Sequence, residues 1–371
     1  MIPWASPLAQ TRAHRRAIDA ALARVLDSGA YVLGEEVAAF EREFASYCGP
    51  AHAIGVGSGT DALVLALRGI GIGPGDEVIA PSHTALATAA AIVAAGATPV
   101  LVDIGGGYTI DPGGIEPAIG PRTKAVIAVH LYGRPADVNG ISAIARRHGL
   151  KLIEDCAQAT GASYRGRRVG TFGDAGCFSF YPTKNLGAIG DGGMITTSDN
   201  ALADRLRRLR QYGWNERRET MEPGLNSRLD PMQAAILRAK LPALSADNTR
   251  RRAIADMYRS GLGDLPLDLP SASEEAEHAY HLFVIASDDR DDLVRHLATQ
   301  GIGTAIHYPV PVHRQTGYVE RSIVPREGLP VTDRAVERIV SLPIYPELAD
   351  DDVARVIAAV RSYYGRSSRV A

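Results

Sequence analysis

Short apolar runs alternate with helix-patterned stretches through the first two-thirds of this chain, and that beat limits its fold more than any other feature. EVIA (77–80), TPVLV (98–102), AVIAV (125–129) and KLIE (151–154) are strand-like, with Ala-rich or amphipathic stretches between most of them. Such an order predicts a mostly parallel sheet covered by helices on both faces. AGCFSF (175–180) and GMITT (193–197) extend the pattern, and 201–211 returns to helical spacing. Ahead of the sheet, 17–27 repeats apolar residues at helical spacing and stops at Ser28-Gly29, and 35–47 predicts a second helix. After Pro242 the pace changes. A charged helical stretch, SADNTRRRAIADMY, leads to a strand HLFVIA (281–286), a helix over 289–299 and a second short strand GTAIHY (303–308). The predicted division is an N-terminal segment plus large α/β domain over 1–240, and a smaller α+β domain over 241–371. The terminal RSSRVA reads as a frayed end.

Composition narrows the class further. Hydrophobic residues are 46% and charged residues 22% of 371, with 38 Gly and 22 Pro, which fits a folded globular protein and excludes a disordered or collagenous one. The 40 Lys+Arg offset 42 Asp+Glu to a formal net charge of -2, so no global field draws the chain onto nucleic acid or an anionic membrane. Cys48, Cys156 and Cys177 are an odd set without a CxxC pair, so reduced thiols are expected rather than a disulfide framework or a metal site. The opening MIPWASPLAQTRAHRRAID has no apolar signal core, and no apolar run reaches the roughly 18 to 20 residues of a bilayer span. A soluble, cytoplasmic protein without nucleic-acid or membrane partners is the expectation.

Three segments carry candidate chemistry. GVGSGTDAL (55–63) puts three glycines and two hydroxyls at the start of a helix-patterned stretch. The N–H groups and dipole of a helix N-terminus attract anions, and glycine lets a phosphate come close. A dinucleotide site would want an acidic residue at the end of the following strand, whereas Asp76 and Glu77 precede EVIA; no GxxxxGK(S/T) loop occurs. KLIEDCAQA (151–159) ends an apolar strand in Glu154-Asp155, and a carboxylate there suits a cationic heterocyclic nitrogen. CFSFYPTKNLGAIGDGG (177–193) brings Lys184 into a Gly-rich stretch directly after another strand. Taken singly, these are a turn, a helix cap and a surface lysine. Taken together, they are the parts of a pyridoxal phosphate site, with phosphate, pyridinium nitrogen and aldehyde each provided for.

The order GSGTDAL, HLYG (130–133), EDCAQA, SFYPTKNLGAIGDGG, GLNSRLDPMQAA and HYPVPVH (307–313) resembles the sugar aminotransferases of the DegT/DnrJ/EryC1/StrS family over residues 5–360. The resemblance implies a fold-type I, aspartate-aminotransferase-like α/β fold and pyridoxal 5'-phosphate chemistry on nucleotide-linked keto sugars. It further implies that Lys184 carries the cofactor on its amine, Asp155 pairs with the pyridine nitrogen and Gln158 reaches the ring 3-hydroxyl. Gly59, Thr60 and Ser179 would hold the phosphate, with Asn226 of GLNSR reaching it from the other subunit of a homodimer that shares its active sites. L-Glutamate is the implied amino donor. In PSHTALAT (81–88) the sequence departs from the pattern: Ala85 stands where the family usually carries an aromatic residue stacked on the cofactor ring. Either His83 covers the ring instead or the sugar pocket is altered.

The Lys184 motif and HYPVPVH resemble the subgroup that aminates C3 of nucleotide-linked 3-keto-6-deoxyhexoses. Tyr31, Tyr181, His307, Tyr308 and His313 are then expected beside the sugar, while Arg217-Arg218 reads as a solvated charge run. Amination at C4 of a 4-keto sugar is one alternative. A pyridoxal phosphate dehydratase, whose relatives carry His in the Lys position, and a non-catalytic relative are others.

Overall fold

The computed structural model describes residues 1–367, so of the terminal RSSRVA the residues 368–371 lie outside the described part. A seven-stranded sheet forms from β1 (His52–Val56), β2 (Glu77–Pro81), β3 (Thr98–Val102), β4 (Thr123–Val129), β5 (Lys151–Asp155), β6 (Ala175–Ser179) and β7 (Gly193–Thr197), in the order β1-β7-β6-β5-β4-β2-β3. β7 alone is antiparallel to its neighbours, β1 and β6; the other pairings are parallel. The carboxyl ends of the six co-directional strands therefore lie along one edge, and the loops that leave them hold GSGT, SHTA, HLYG, CAQA and FYPTK. Register sharpens that gathering: Val129 pairs with Asp155, Asp155 with Cys177, and Gly193 with both Ser179 and Val56.

Helices cover both faces, as the alternation requires. On one side Gly59–Gly69 buries almost its entire length, Ala62 to Leu67, against Ile54, Ile127, Ile153 and Ile195. On the other, Phe40 and Phe44 of Glu35–Cys48 meet Phe178 and Phe180 with ring centroids 5.0 to 5.4 Å apart. Val138–Arg147 lies over a third cluster that includes Val126, Ala128 and Leu152.

A second core sits beyond the long helix Leu244–Leu262. There Tyr258, Phe283, Ile285, Val340, Leu342, Val353 and Val356 pack between that helix, a two-stranded antiparallel sheet of β8 (Phe283–Ala286) and β9 (Ile339–Leu342), and the helix Asp350–Ser367. The sequence pattern placed the second strand at 303–308, and this is corrected. That segment makes a single bridge, Ala305 to Ser341, and runs beside β9, which is the true partner of β8. The helix expected over 17–27 spans Arg15–Ser28 and is preceded by a further helix, Pro7–Ala13. Ile2 crosses to the second core, exchanging backbone hydrogen bonds with Gly301 and Gly303.

Candidate active site

A cavity of about 230 Å³ opens at the carboxyl edge of the sheet, lined among others by Ser58, Gly59, Thr60, Thr84, Ala85, Asp155, Gln158, Ser179, Tyr181 and Lys184. Its floor is built by the strand ends. One wall is the start of the Gly59–Gly69 helix, capped by Ser58, whose Oγ accepts from Asp61 N at 3.1 Å. Glycine is required at 59, because a Cβ there would come within 2.6 Å of Ser179 Cβ. Gly193 is equally fixed: a Cβ would stand 2.2 Å from the Ser58 carbonyl oxygen. These two close approaches hold an eleven-residue helix with its N-terminus directly against Ser179.

Asp155, 4% exposed, is held at both oxygens: Oδ2 accepts from Thr88 Oγ1 at 2.9 Å and Oδ1 from Ala157 N at 3.1 Å. Thr88 is in turn paired with Thr84 at 2.9 Å. Burial raises the Asp155 pKa, and its two hydrogen bonds and the nearby Lys184 charge restrain the rise. Burial also pushes the Lys184 amine down to about 8, against the pull of Asp155. Among the described residues no hydrogen bond or ion pair engages Lys184 Nζ. A partly buried amine without a partner, a fixed carboxylate and an open helix N-terminus in one cavity match a ligand that carries an aldehyde, a basic ring nitrogen and a phosphate.

The loop that follows Lys184 is clamped from behind. Lys240 is 3% exposed and donates from Nζ to Gly187 O at 2.7 Å and to Gln10 Oε1 at 3.1 Å, while Gln10 Nε2 donates to Asn185 O at 3.1 Å. Asn185 Nδ2 reaches Asn248 Oδ1 and Ala279 O. Burial brings the Lys240 amine down to about 8, with Glu347 and Asp247 drawing it up.

Of the residues expected beside the sugar, Tyr181 lines the cavity and is 53% exposed. Tyr308 approaches through its hydroxyl, which accepts from Gln158 Nε2 at 2.9 Å. His307 is turned to Ser341 Oγ at 2.9 Å, and His313 is fastened between Ser82 at 2.7 Å and Asp333 at 3.0 Å. Tyr31 donates to Leu26 O at 3.1 Å and stands apart from the cavity, as does the exposed Asn226 of this chain. His83 does not line the cavity either. Its Nε2 meets Tyr132 OH at 2.6 Å, and the wall at this point is made by Thr84, Ala85 and Ala87. Since the Tyr132 hydroxyl donates to the His307 carbonyl, His83 is the donor to Tyr132, which leaves its buried Nδ1 a bare, unpartnered acceptor.

Thr88 and Tyr132 were missed by the reading of motifs, although both lie within quoted ones. A threonine one turn after SHT is the only sequence trace of the first. His130, Glu154 and Cys156 also cluster, with ligand atoms within 4.8 Å of one another. Glu154 accepts from the N–H groups of Gly170, Phe172 and Gly173 and from His130 Nε2, so its oxygens are fully engaged in holding loops. Burial alone would raise its pKa, yet His130 and those N–H groups keep it below the usual carboxylate value.

Comparison with known proteins supplies the rest. The model of the DegT/DnrJ/EryC1/StrS aminotransferase family matches residues 13–361. The chain belongs to this family. Among DegT/DnrJ/EryC1/StrS relatives, a dTDP-3-amino-3,4,6-trideoxy-alpha-D-glucose transaminase of Streptomyces venezuelae is 51% identical over 355 residues, 95% of this chain and 93% of the relative. The crystal structure of S. venezuelae DesV in complex with a ketimine intermediate superposes with a TM-score of 0.95 at 50% identity, covering 98% of both chains. NtdA from Bacillus subtilis, solved with bound cofactor PMP, superposes with a TM-score of 0.91 at 32% identity over 97% of this chain and 84% of its own. The match to the DegT/DnrJ/EryC1/StrS model spans the whole seven-stranded sheet, the cavity at its carboxyl edge and the two-stranded sheet of the second core.

Proposed function

We propose that the protein is a pyridoxal 5'-phosphate-dependent aminotransferase that moves an amino group from L-glutamate to C3 of a dTDP-linked 3-keto-6-deoxyhexose. The observation that carries the reading is the meeting of Lys184, Asp155 and the Gly59–Gly69 helix N-terminus in one cavity of a chain that matches a sugar transaminase over 95% of its length. Amination at C4 is not favoured, because the 51%-identical relative is named for a 3-amino sugar. Lys184, standing where the dehydratase reading needs His, argues against that alternative.

Pyridoxal phosphate, when bound, supplies an aldehyde for the amino group and a ring that takes up an electron pair. The residues fit it one by one. The N–H groups of Gly59 and Thr60, with the Thr60 and Ser179 hydroxyls, receive phosphate. Asp155, made more basic by burial, favours a proton on the ring nitrogen. Lys184 holds the cofactor and, when released, carries a proton. With its pKa near 8, an appreciable fraction is unprotonated at neutral to mildly alkaline pH. Gln158 and Tyr181 complete the wall. His83 and Asn226 remain candidates for the cofactor, the first through its bare Nδ1 and the second from a partner subunit. Tyr31, His307 and His313 stay candidates for the sugar only if the partner or substrate binding brings them closer.

A homodimer with shared sites is part of the proposal. It is supported by exposed apolar side chains at Tyr31, Val32, Tyr181 and Ile189, the last two flanking the Lys184 loop. A division near residue 240 is supported by the second core, which apart from Ile2 is built from residues after 250, although Leu282, Val284, Ala286 and Ile339 pack back onto the first. No described helix is long and apolar enough to cross a membrane, and three buried free thiols support a cytoplasmic location.

The test is a visible spectrum of the purified protein with pyridoxal phosphate, first with glutamate and then with a panel of dTDP- and UDP-linked 3-keto and 4-keto sugars. A band lost with glutamate and restored by a dTDP-3-keto sugar is expected; a band indifferent to glutamate would overturn the proposal. Lys184→Ala should abolish turnover in a folded protein.

A further inference from the structure

Gln158 is gripped at both ends of its amide, and the grip sets which end is which. Oε1 accepts from the backbone N–H of Tyr132 at 2.7 Å, a group that can only donate. The other end must be Nε2, which gives one proton to the Tyr308 hydroxyl at 2.9 Å. Gln158 is 6% exposed and lines the cavity, and among the described residues no group takes its second Nε2 proton.

Both clamps are themselves held. Tyr132, 3% exposed, has φ 61° and ψ 3°, a left-handed conformation that costs a non-glycine residue on the order of 1 kcal/mol or more. Four hydrogen bonds keep it there: its N–H to Gln158, its hydroxyl to the His307 carbonyl, His83 to its hydroxyl, and the Leu282 N–H to its carbonyl at 3.2 Å. Tyr308 arrives from the segment that bridges to β9 through Ala305 and Ser341. Burial pushes its phenol up to about 12, so it stays protonated across the working range.

The geometry points to Tyr308 as a positioning residue for the cofactor, acting through Gln158, rather than as a contact of the sugar. Resting on the pyridoxal phosphate reading above, the inference is that Tyr308 and the Tyr132 N–H together hold the free Nε2 proton ready for the ring 3-oxygen. A donor on that oxygen draws off negative charge and loosens its hold on the proton shared with the neighbouring nitrogen. Without Tyr308 the amide can swing, the donor weakens, and that proton is held more tightly.

The experiment is a pH titration of the visible absorbance band of the cofactor-loaded wild type, Tyr308→Phe, Gln158→Leu and the double variant, with cofactor dissociation constants, melting temperatures and keto-sugar KM measured alongside. Tyr308→Phe should move the titration midpoint up by about one pH unit and weaken cofactor binding about tenfold, the effect of one lost hydrogen bond. Its keto-sugar KM should stay within about twofold of wild type. Gln158→Leu should shift the midpoint at least as far, and the double variant no further than Gln158→Leu alone. An unmoved midpoint with a raised KM would overturn the inference in favour of a sugar contact; so would a lower melting temperature with an unmoved midpoint. A wild type that shows no band at all would instead refute the cofactor reading beneath it.

Discussion

Removing the amine of Lys184 should stabilise the cofactor-free protein. An ordinary lysine titrates near 10.5, and burial brings this one to about 8. At roughly 1.4 kcal/mol per pH unit, holding it protonated costs the fold about 3 kcal/mol, and partial exposure of the side chain lowers the working figure to about 2 kcal/mol. The sign follows from proton counts. Between the folded value and 10.5 the unfolded chain binds the proton and the folded chain does not, so stability climbs with pH across that window. Below it the penalty is complete, and above it the penalty is gone. Urea unfolding of cofactor-free wild type and Lys184→Met, at equal protein concentration, should show the variant more stable by about 2 kcal/mol near pH 7, with the gap closing by about pH 10.5. Lys240, also brought down to about 8, is common to both proteins and cancels. A variant no more stable at neutral pH, or a gap that does not change with pH, would refute the claim that desolvation sets this amine's pKa.

Three further outcomes are expected. Asp155→Asn should keep the cofactor but lower kcat roughly 100-fold, the loss of about 3 kcal/mol of charge stabilisation; near wild-type turnover in a steady-state assay would count against the ring-nitrogen role. Gly59→Ala forces a Cβ to within 2.6 Å of Ser179 Cβ and should weaken cofactor binding. The overpacking penalty of about 1 to 3 kcal/mol sets that loss at roughly 5- to 150-fold, read by fluorescence titration. Glu154→Gln sets an amide against three backbone donors and should cost about 3 kcal/mol, seen as a lower melting temperature; an unchanged midpoint would be the contrary result.

Much of the fold was legible because its strands are buried on both faces and read as continuous apolar runs; GMITT at 193–197 matches β7 residue for residue. The segment 303–308 was misread for the same reason in reverse. Its alternation GTAIHY looks like a strand, but only Ala305 makes a bridge, while the real strand, IVSL, is too short to announce itself. Lys184, Asp155 and GSGT, which meet in one cavity, were visible because each lies in a contiguous motif at a strand end. Thr88, Tyr132 and the Tyr308–Gln158 contact were not, since each depends on partners 26 to 150 positions away that only the folded sheet brings together. His83 shows the limit most clearly: the sequence gives the imidazole, and the Tyr132 hydroxyl decides where it turns.

The match to the family begins at residue 13, yet Gln10 is the side-chain partner of Lys240 and the donor to Asn185, and Ile2 ties the same segment to the second core. Anyone trimming the gene to the family boundary would discard a working part of the scaffold. Such a shortened protein would keep every motif residue, yet it would take from the buried Lys240 amine one of its two acceptors, beside the loop that presents Lys184.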